Sequence, residues 1–230
     1  MINKNSKLVK VLKGTAALAV VAGITIGATY AFLSDKTEEK VNTFKASSDI
    51  ELELTEPNWD QTGEASHFAP GSEIPKDPTV TVPESSSQDE YVAATVKYYV
   101  DLNGDKKYTD DEEISYNEFT STYATISGYN TKDWTPNAEK SIYYFGTSAT
   151  DAEGLNVFKK GNDSVIFEKV TVNKNIPTYA EDTAAYKKGT PIAFKIDVKA
   201  YGVQDSLTKD QGYQALNLMI EGKDPNSVIK

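Results

Sequence analysis

Tyr91-Val92-Ala93-Ala94-Thr95-Val96-Lys97-Tyr98-Tyr99-Val100 is the stretch on which the fold turns. In an extended chain, Val92, Ala94, Val96, Tyr98 and Val100 share one side, opposite Tyr91, Ala93, Thr95, Lys97 and Tyr99. Successive side chains of a strand point to opposite faces, so this alternation, rich in β-branched and aromatic residues, predicts a long half-buried strand. The pattern returns over Ile192 to Val203, with Phe194, Ile196, Val198 and Ala200 inward and Lys195, Asp197, Lys199 and Tyr201 outward. A shorter copy precedes both: Ile50, Leu52 and Leu54 oppose Glu51 and Glu53.

Thr79–Val82, Ser141–Phe145 and Val165–Val172 are further strand candidates. The last also reads as a buried helix by periodicity alone, and its valines and isoleucine favour the strand. Pro70-Gly71, Pro75, Pro78 and Pro83 punctuate the chain before the long strand. One helix is predicted late. Thr208 is a cap with Gln211 three residues on, and Tyr213, Leu216 and Ile220 share a face. Gly104 to Asp163 is polar and is expected to be an insertion of loops and short elements. The fold expected is mainly β: a jelly-roll-like antiparallel β-sandwich with a polar insertion (about 104–163) and a short C-terminal helix, spanning 48–222 and followed by a loose tail at 223–230.

The chain has 230 residues, no cysteine and no arginine. Disulfides, thiolate metal sites and cysteine nucleophiles are therefore excluded. The formal charge is −10, with 34 acids, and all 24 cations are lysine. Phosphate neutralisation needs clustered cations, so no nucleic acid is expected as a partner.

Met1 to Ala31 has its own logic. Lys4, Lys7, Lys10 and Lys13 precede an uncharged apolar run from Gly14 to Ala31, and Thr29 and Ala31 are the small residues at its end. That order predicts a cleavable export signal cut between Ala31 and Phe32, with membrane contact only before cleavage. The other reading is an uncleaved anchor, for which about 18 apolar residues is near the lower limit. An exported protein without cysteine fits the surface or medium of a Gram-positive bacterium.

The sharpest local motif runs from Asp101 to Glu112. Asp101, Asn103 and Asp105 stand at positions 1, 3 and 5, Lys107 offers a carbonyl at 7, Thr109 an oxygen at 9 and Glu112 a carboxylate at 12. Hard cations take six to eight oxygens, and alternate residues of a tight loop can aim them inward, so a structural calcium is one reading. The usual loop glycine is missing: position 6 is Lys106, and Gly104 stands at 4. The other reading is an acidic hairpin loop with Asn103-Gly104 as its turn. His67 is the only histidine, too few for a helical two-histidine zinc site, and no GxSxG surrounds any serine. Tyr98-Tyr99, Tyr143-Tyr144-Phe145, Trp59 and Trp134 read either as a carbohydrate- or partner-binding face or as core.

Thr29-Tyr30-Ala31-Phe32-Leu33-Ser34-Asp35, then Asn42-Thr43-Phe44 and the Ile50 to Leu54 strand, resemble the TasA/camelysin family of exported Gram-positive proteins. Pro70-Gly71-Ser72, Lys76-Asp77-Pro78-Thr79-Val80, Asp89-Glu90-Tyr91-Val92 and Ala200-Tyr201-Gly202-Val203-Gln204 continue the resemblance. Gly104 to Val172 lies outside it, and Ser47-Ser48 stand where the family often has Ala-Gly. The resemblance implies a SipW-type signal peptidase and a secreted subunit of extracellular biofilm-matrix fibres, with accessory matrix proteins as further partners. It also implies a head-to-tail homopolymer in which residues 32–47 leave their own subunit and complete the sheet of the next. Phe32, Leu33, Val41 and Phe44 would be the anchors of that donated strand. The alternatives are a camelysin-like metalloendopeptidase, for which no zinc ligand set is visible, and a calcium-stabilised surface adhesin.

Overall fold

The two long alternating stretches pair with each other. The computed structural model describes residues 50–58 and 68–228. The signal at 1–31, the cut between Ala31 and Phe32, the anchors Phe32, Leu33, Val41 and Phe44, Trp59 and His67 all lie outside the described residues. In chain order the elements are β1 (Glu53–Thr55), β2 (Glu73–Pro75), β3 (Thr79–Val82), β4 (Glu90–Val100), β5 (Glu113–Ile114), α1 (Tyr116–Thr122), β6 (Ala124–Ser127), β7 (Trp134–Pro136), β8 (Ile142–Phe145), β9 (Asn162–Val165), β10 (Lys169–Val172), β11 (Phe194–Gln204) and α2 (Lys209–Ile220).

β4 and β11 run antiparallel over their full lengths, from Glu90↔Gln204 to Val100↔Phe194. The sheet order is β11-β4-β8-β7, with β5 also on β4, and two three-stranded sheets run β1-β3-β9 and β2-β10-β6. Every pairing among the described residues is antiparallel. Val92, Ala94, Val96, Tyr98 and Val100 form one core with Ile196, Val198 and Ala200 and with the apolar residues of both smaller sheets, so the molecule is an antiparallel β-sandwich.

The outer face departs from simple alternation. Tyr91, Ala93, Tyr201 and Val203 are buried in a second core under α2. Tyr201, expected to point to solvent, is 7% exposed because the helix covers it. The capping box forms as expected: the Gln211 amide donates to Thr208 Oγ1 at 3.2 Å, and the Thr208 amide to Gln211 Oε1 at 3.1 Å. Gly212, Ala215, Leu216 and Met219 are the buried face, with Tyr213 and Ile220 half-buried at its margins. Small residues let the helix approach closely: a Cβ on Gly212 would lie 2.5 Å from the Tyr91 ring. Burying Leu216 contributes roughly 1.5–3 kcal/mol.

Three expectations need correction. Gly104 to Asp163 is not an appendage. It supplies β5 to β8 and the start of β9, contributing to all three sheets, and it buries Phe119, Trp134, Tyr143, Leu155 and Phe158. Its strands are only two to four residues long, too short for alternation to show through the polar background. Val165–Val172 is two strand ends rather than one strand, because Ile166 and Phe167 are both fully buried and the chain crosses there between the two smaller sheets. The tail is docked through residue 228: Pro225–Val228 forms a 3-10 turn with Pro225 buried, and Val228 packs on the α2 core.

Candidate functional site

Two sheet edges face each other across an apolar groove. Among the described residues, β11 pairs only with β4 and β2 only with β10, so each leaves one row of backbone groups without a strand partner. Between them lies a groove of about 170 Å³ lined by Phe68, Ile74, Tyr108, Val170, Phe194 and Ile196, with Lys76 and Lys195 at its rim. That is several times the roughly 30 Å³ a water occupies in the liquid. Its wall is aromatic: Phe194 lies 5.0 Å from Phe68 and 5.3 Å, edge-on, from the fully buried Phe119.

The rim is held by ion pairs and by a clamp on the end of β1. Lys76 Nζ meets Glu56 Oε1 at 2.5 Å, and both side chains are largely buried. Asp77 accepts the Asn58 amide at 2.9 Å and its side-chain nitrogen at 2.7 Å. On the opposite rim Lys195 pairs with Asp197 at 3.3 Å. At the open β11 edge the exposed Lys195 discourages indiscriminate strand pairing while the groove floor stays apolar.

Tyr108 reaches the groove from the Asp101–Glu112 loop. That loop connects a hairpin, because β5 returns to pair Ile114 with Tyr98. Asp101 is fully buried, and its carboxylate accepts the Asp105 amide at 3.1 Å and the Lys106 amide at 2.9 Å. Asn103 accepts the Asp105 amide at 2.9 Å, and Asp105 accepts the Lys107 amide at 2.8 Å. Glu112 accepts the Thr109 amide at 3.2 Å and caps the short turn that ends the loop. Gly104 (φ 69°) and Lys106 (φ 62°) both take left-handed conformations, so the tight bend falls at both positions weighed in the sequence. Among the described residues no three His, Cys, Asp or Glu side chains are gathered as a metal-holding group. The bonds to the main chain account for the loop's shape, and Asp101, Asn103, Asp105, Lys107, Thr109 and Glu112 as calcium ligands remain a proposal.

Comparison with known proteins finds no match: no protein-family model, no curated protein and no solved structure. The assignment of a function rests on the chain's own residues.

A strap spanning 173–193 closes the same end of the molecule. The Tyr179 hydroxyl donates to the Asp101 carbonyl at 2.7 Å and accepts the Ala193 amide at 3.3 Å. Burial pushes its pKa up to about 12, opposed by the Ala193 amide, so it stays a neutral donor. Tyr186 stacks on Tyr179 at 4.9 Å. The aromatic pairs weighed as a binding face are core: Tyr98, Tyr143, Tyr144 and Trp134 are each 2% exposed, and Trp134 Nε1 donates to Ser164 at 2.9 Å. The sequence does not announce the groove. Ile74 and Val170 sit in short strands, and nothing local marks their neighbours across the gap.

Proposed function

We propose that this protein is a secreted structural subunit that polymerises head to tail, the segment from Phe32 to Lys45 of one copy adding as a strand at the open β2/β11 edge of the next. One observation carries this reading: an apolar, aromatic-walled groove lies between two strands that each pair on one side only. An extended segment there gains main-chain hydrogen bonds from an edge and places alternate side chains in the groove. Phe32, Leu33, Val41 and Phe44 are the apolar side chains the segment offers. A contact between unlike surfaces repeats without closing, and the product is a filament. The resemblance to the TasA/camelysin family supports the same reading, with export through residues 1–31, SipW-type cleavage after Ala31, and a place in the extracellular matrix.

The test is negative-stain microscopy and light scattering of the secreted protein beginning at Phe32. Fibres are expected for the native sequence. Monomers are expected for Ile196→Asp, which places a charge on the groove wall, and for a chain lacking 32–45. Fibres formed equally well by all three would overturn the proposal.

A further inference from the structure

Glu90 opens β4 and has no exposed surface, yet its Oε2 has no hydrogen-bond partner. Its backbone is fixed, since its amide and carbonyl both bond Phe158, at 3.0 and 2.7 Å. Its side chain points into the space left by Gly202, where an added Cβ would sit 2.0 Å from Oε2 and 3.4 Å from Leu52 Cδ2. The carboxyl therefore lies beneath residues 50–52, where the N-terminal part of the chain joins the sandwich. Ser86 links the two: its hydroxyl, which donates to the Gln88 carbonyl at 3.0 Å, also lies 3.4 Å from Glu90 Oε1 and accepts the Glu51 amide at 3.3 Å.

We infer that Glu90, with Ser86, is a proton-operated latch: residues 50–52 cover the carboxyl only while it is neutral, and its ionisation beneath them releases them. A buried carboxylate without a cation is costly, whereas release restores it to water. Burial is the main cause of a pKa raised to about 8 from 4.5, opposed by Ser86 and the Glu51 amide. No charged side chain among the described residues adds to that shift. From the residues before β1, Glu51 is taken by the Ser85 hydroxyl at 2.6 Å. From the loop before β4, Asp89 pairs with Lys159 at 2.7 Å, and Glu84 lies against Gly161. Asp205, at the end of β11, follows a strand whose face towards Glu90 is Gly202.

The sign follows from linkage. The latched state binds the extra proton, so the latch is fully favoured below pH 4.5, weakens through the interval up to about 8, and changes no further above it. Within that window the open fraction rises by at most roughly tenfold per pH unit. The latch stands on this geometry alone. Its use, to set how the donated segment leaves the domain, rests on the fibre reading.

Hydrogen exchange on the full chain tests it, read as protection factors so that the intrinsic pH dependence cancels. Protection at the Glu51 amide, which bonds Ser86, is expected to fall by about 100-fold between pH 5 and pH 7.5 and to stay below that of the Val96 amide, which bonds the Ser141 carbonyl inside the sheet and exchanges by global unfolding. In Glu90→Gln the profile at Glu51 is expected to be flat. Parallel profiles in the two proteins, or Glu51 protection equal to that of Val96 at every pH, would overturn the latch. If Glu90→Gln does not fold, the contrast between Glu51 and Val96 in the native chain decides alone. None of these readings involves polymerisation, so the latch and the fibre proposal fail separately.

Discussion

The two ends of the β4–β11 ladder share one pattern and meet different fates. At the Tyr91/Val203 end, Tyr91, Ala93, Tyr201 and Val203 are sealed under α2. At the Val100/Phe194 end, Phe194 is only half-buried and joins Ile196 in a groove that no described strand fills. Alternation specifies which side chains share a face, and what covers that face is decided elsewhere in the chain. The helix covers one end because its cap, its length and its small residues fit there. The other end keeps an open edge, which in a stable protein calls for a role.

The largest effect separates the ends by truncation. Leu216 is fully buried under α2, and Leu216→Ala is expected to cost about 2–5 kcal/mol of unfolding free energy. Ile74 is buried but lines a groove that is already open, so truncation loses transfer energy without creating a new closed cavity, and Ile74→Ala is expected to cost about 2 kcal/mol. Urea unfolding of both variants measures the difference. Equal costs would mean that the groove is as tightly sealed as the helix-covered end.

Much of the closed end was legible. The β4 and β11 faces, β3 from Thr79 to Val82 and the Thr208 cap with Gln211 all depend on residues near one another in sequence. What was not legible depends on distant partners. Phe119 is fully buried because Tyr98 stacks on it at 4.9 Å and Phe194 meets it edge-on, and no periodicity around Phe119 announces either. The groove is a relation between Ile74 and Ile196, far apart in sequence and in different sheets. Glu90 is the sharpest case: it reads as the polar residue before an apolar run, and only the missing side chain of Gly202 explains its burial.

A middle-sized effect tests whether the seal depends on local helix chemistry. Thr208→Ala removes the acceptor for the Gln211 amide and is expected to cost about 1 kcal/mol. Because the closed end relies on α2, the loss should appear in global unfolding and not only as fraying. A helix that frays at the Gly212 and Tyr213 amides in hydrogen exchange while the unfolding midpoint stays put would show that packing alone keeps that end closed.

The smallest expected effect lies in the loop that carries Tyr108 to the open end. Lys106 sits at φ 62°, a conformation that disfavours side chains by about 1–2 kcal/mol. Lys106→Gly removes that strain but adds unfolded-state entropy worth roughly 0.5–1 kcal/mol. It also removes the ammonium 5.5 Å from the Tyr186 ring, worth about 0.5 kcal/mol at an exposed site. The three terms nearly cancel, and the net change without added ion is expected to stay within about 0.5 kcal/mol. The same variant discriminates between the two readings of the loop. Glycine at the sixth position is what a calcium loop uses for its bend, so under the calcium reading Lys106→Gly should raise the gain in Tm on adding calcium, and Asp105→Ala should abolish that gain. Under the hairpin reading, calcium leaves Tm unchanged in all three proteins. Asp101, Asn103 and Asp105 then act only as acceptors for the loop's own amides, and the open end owes the position of Tyr108 to hydrogen bonds alone.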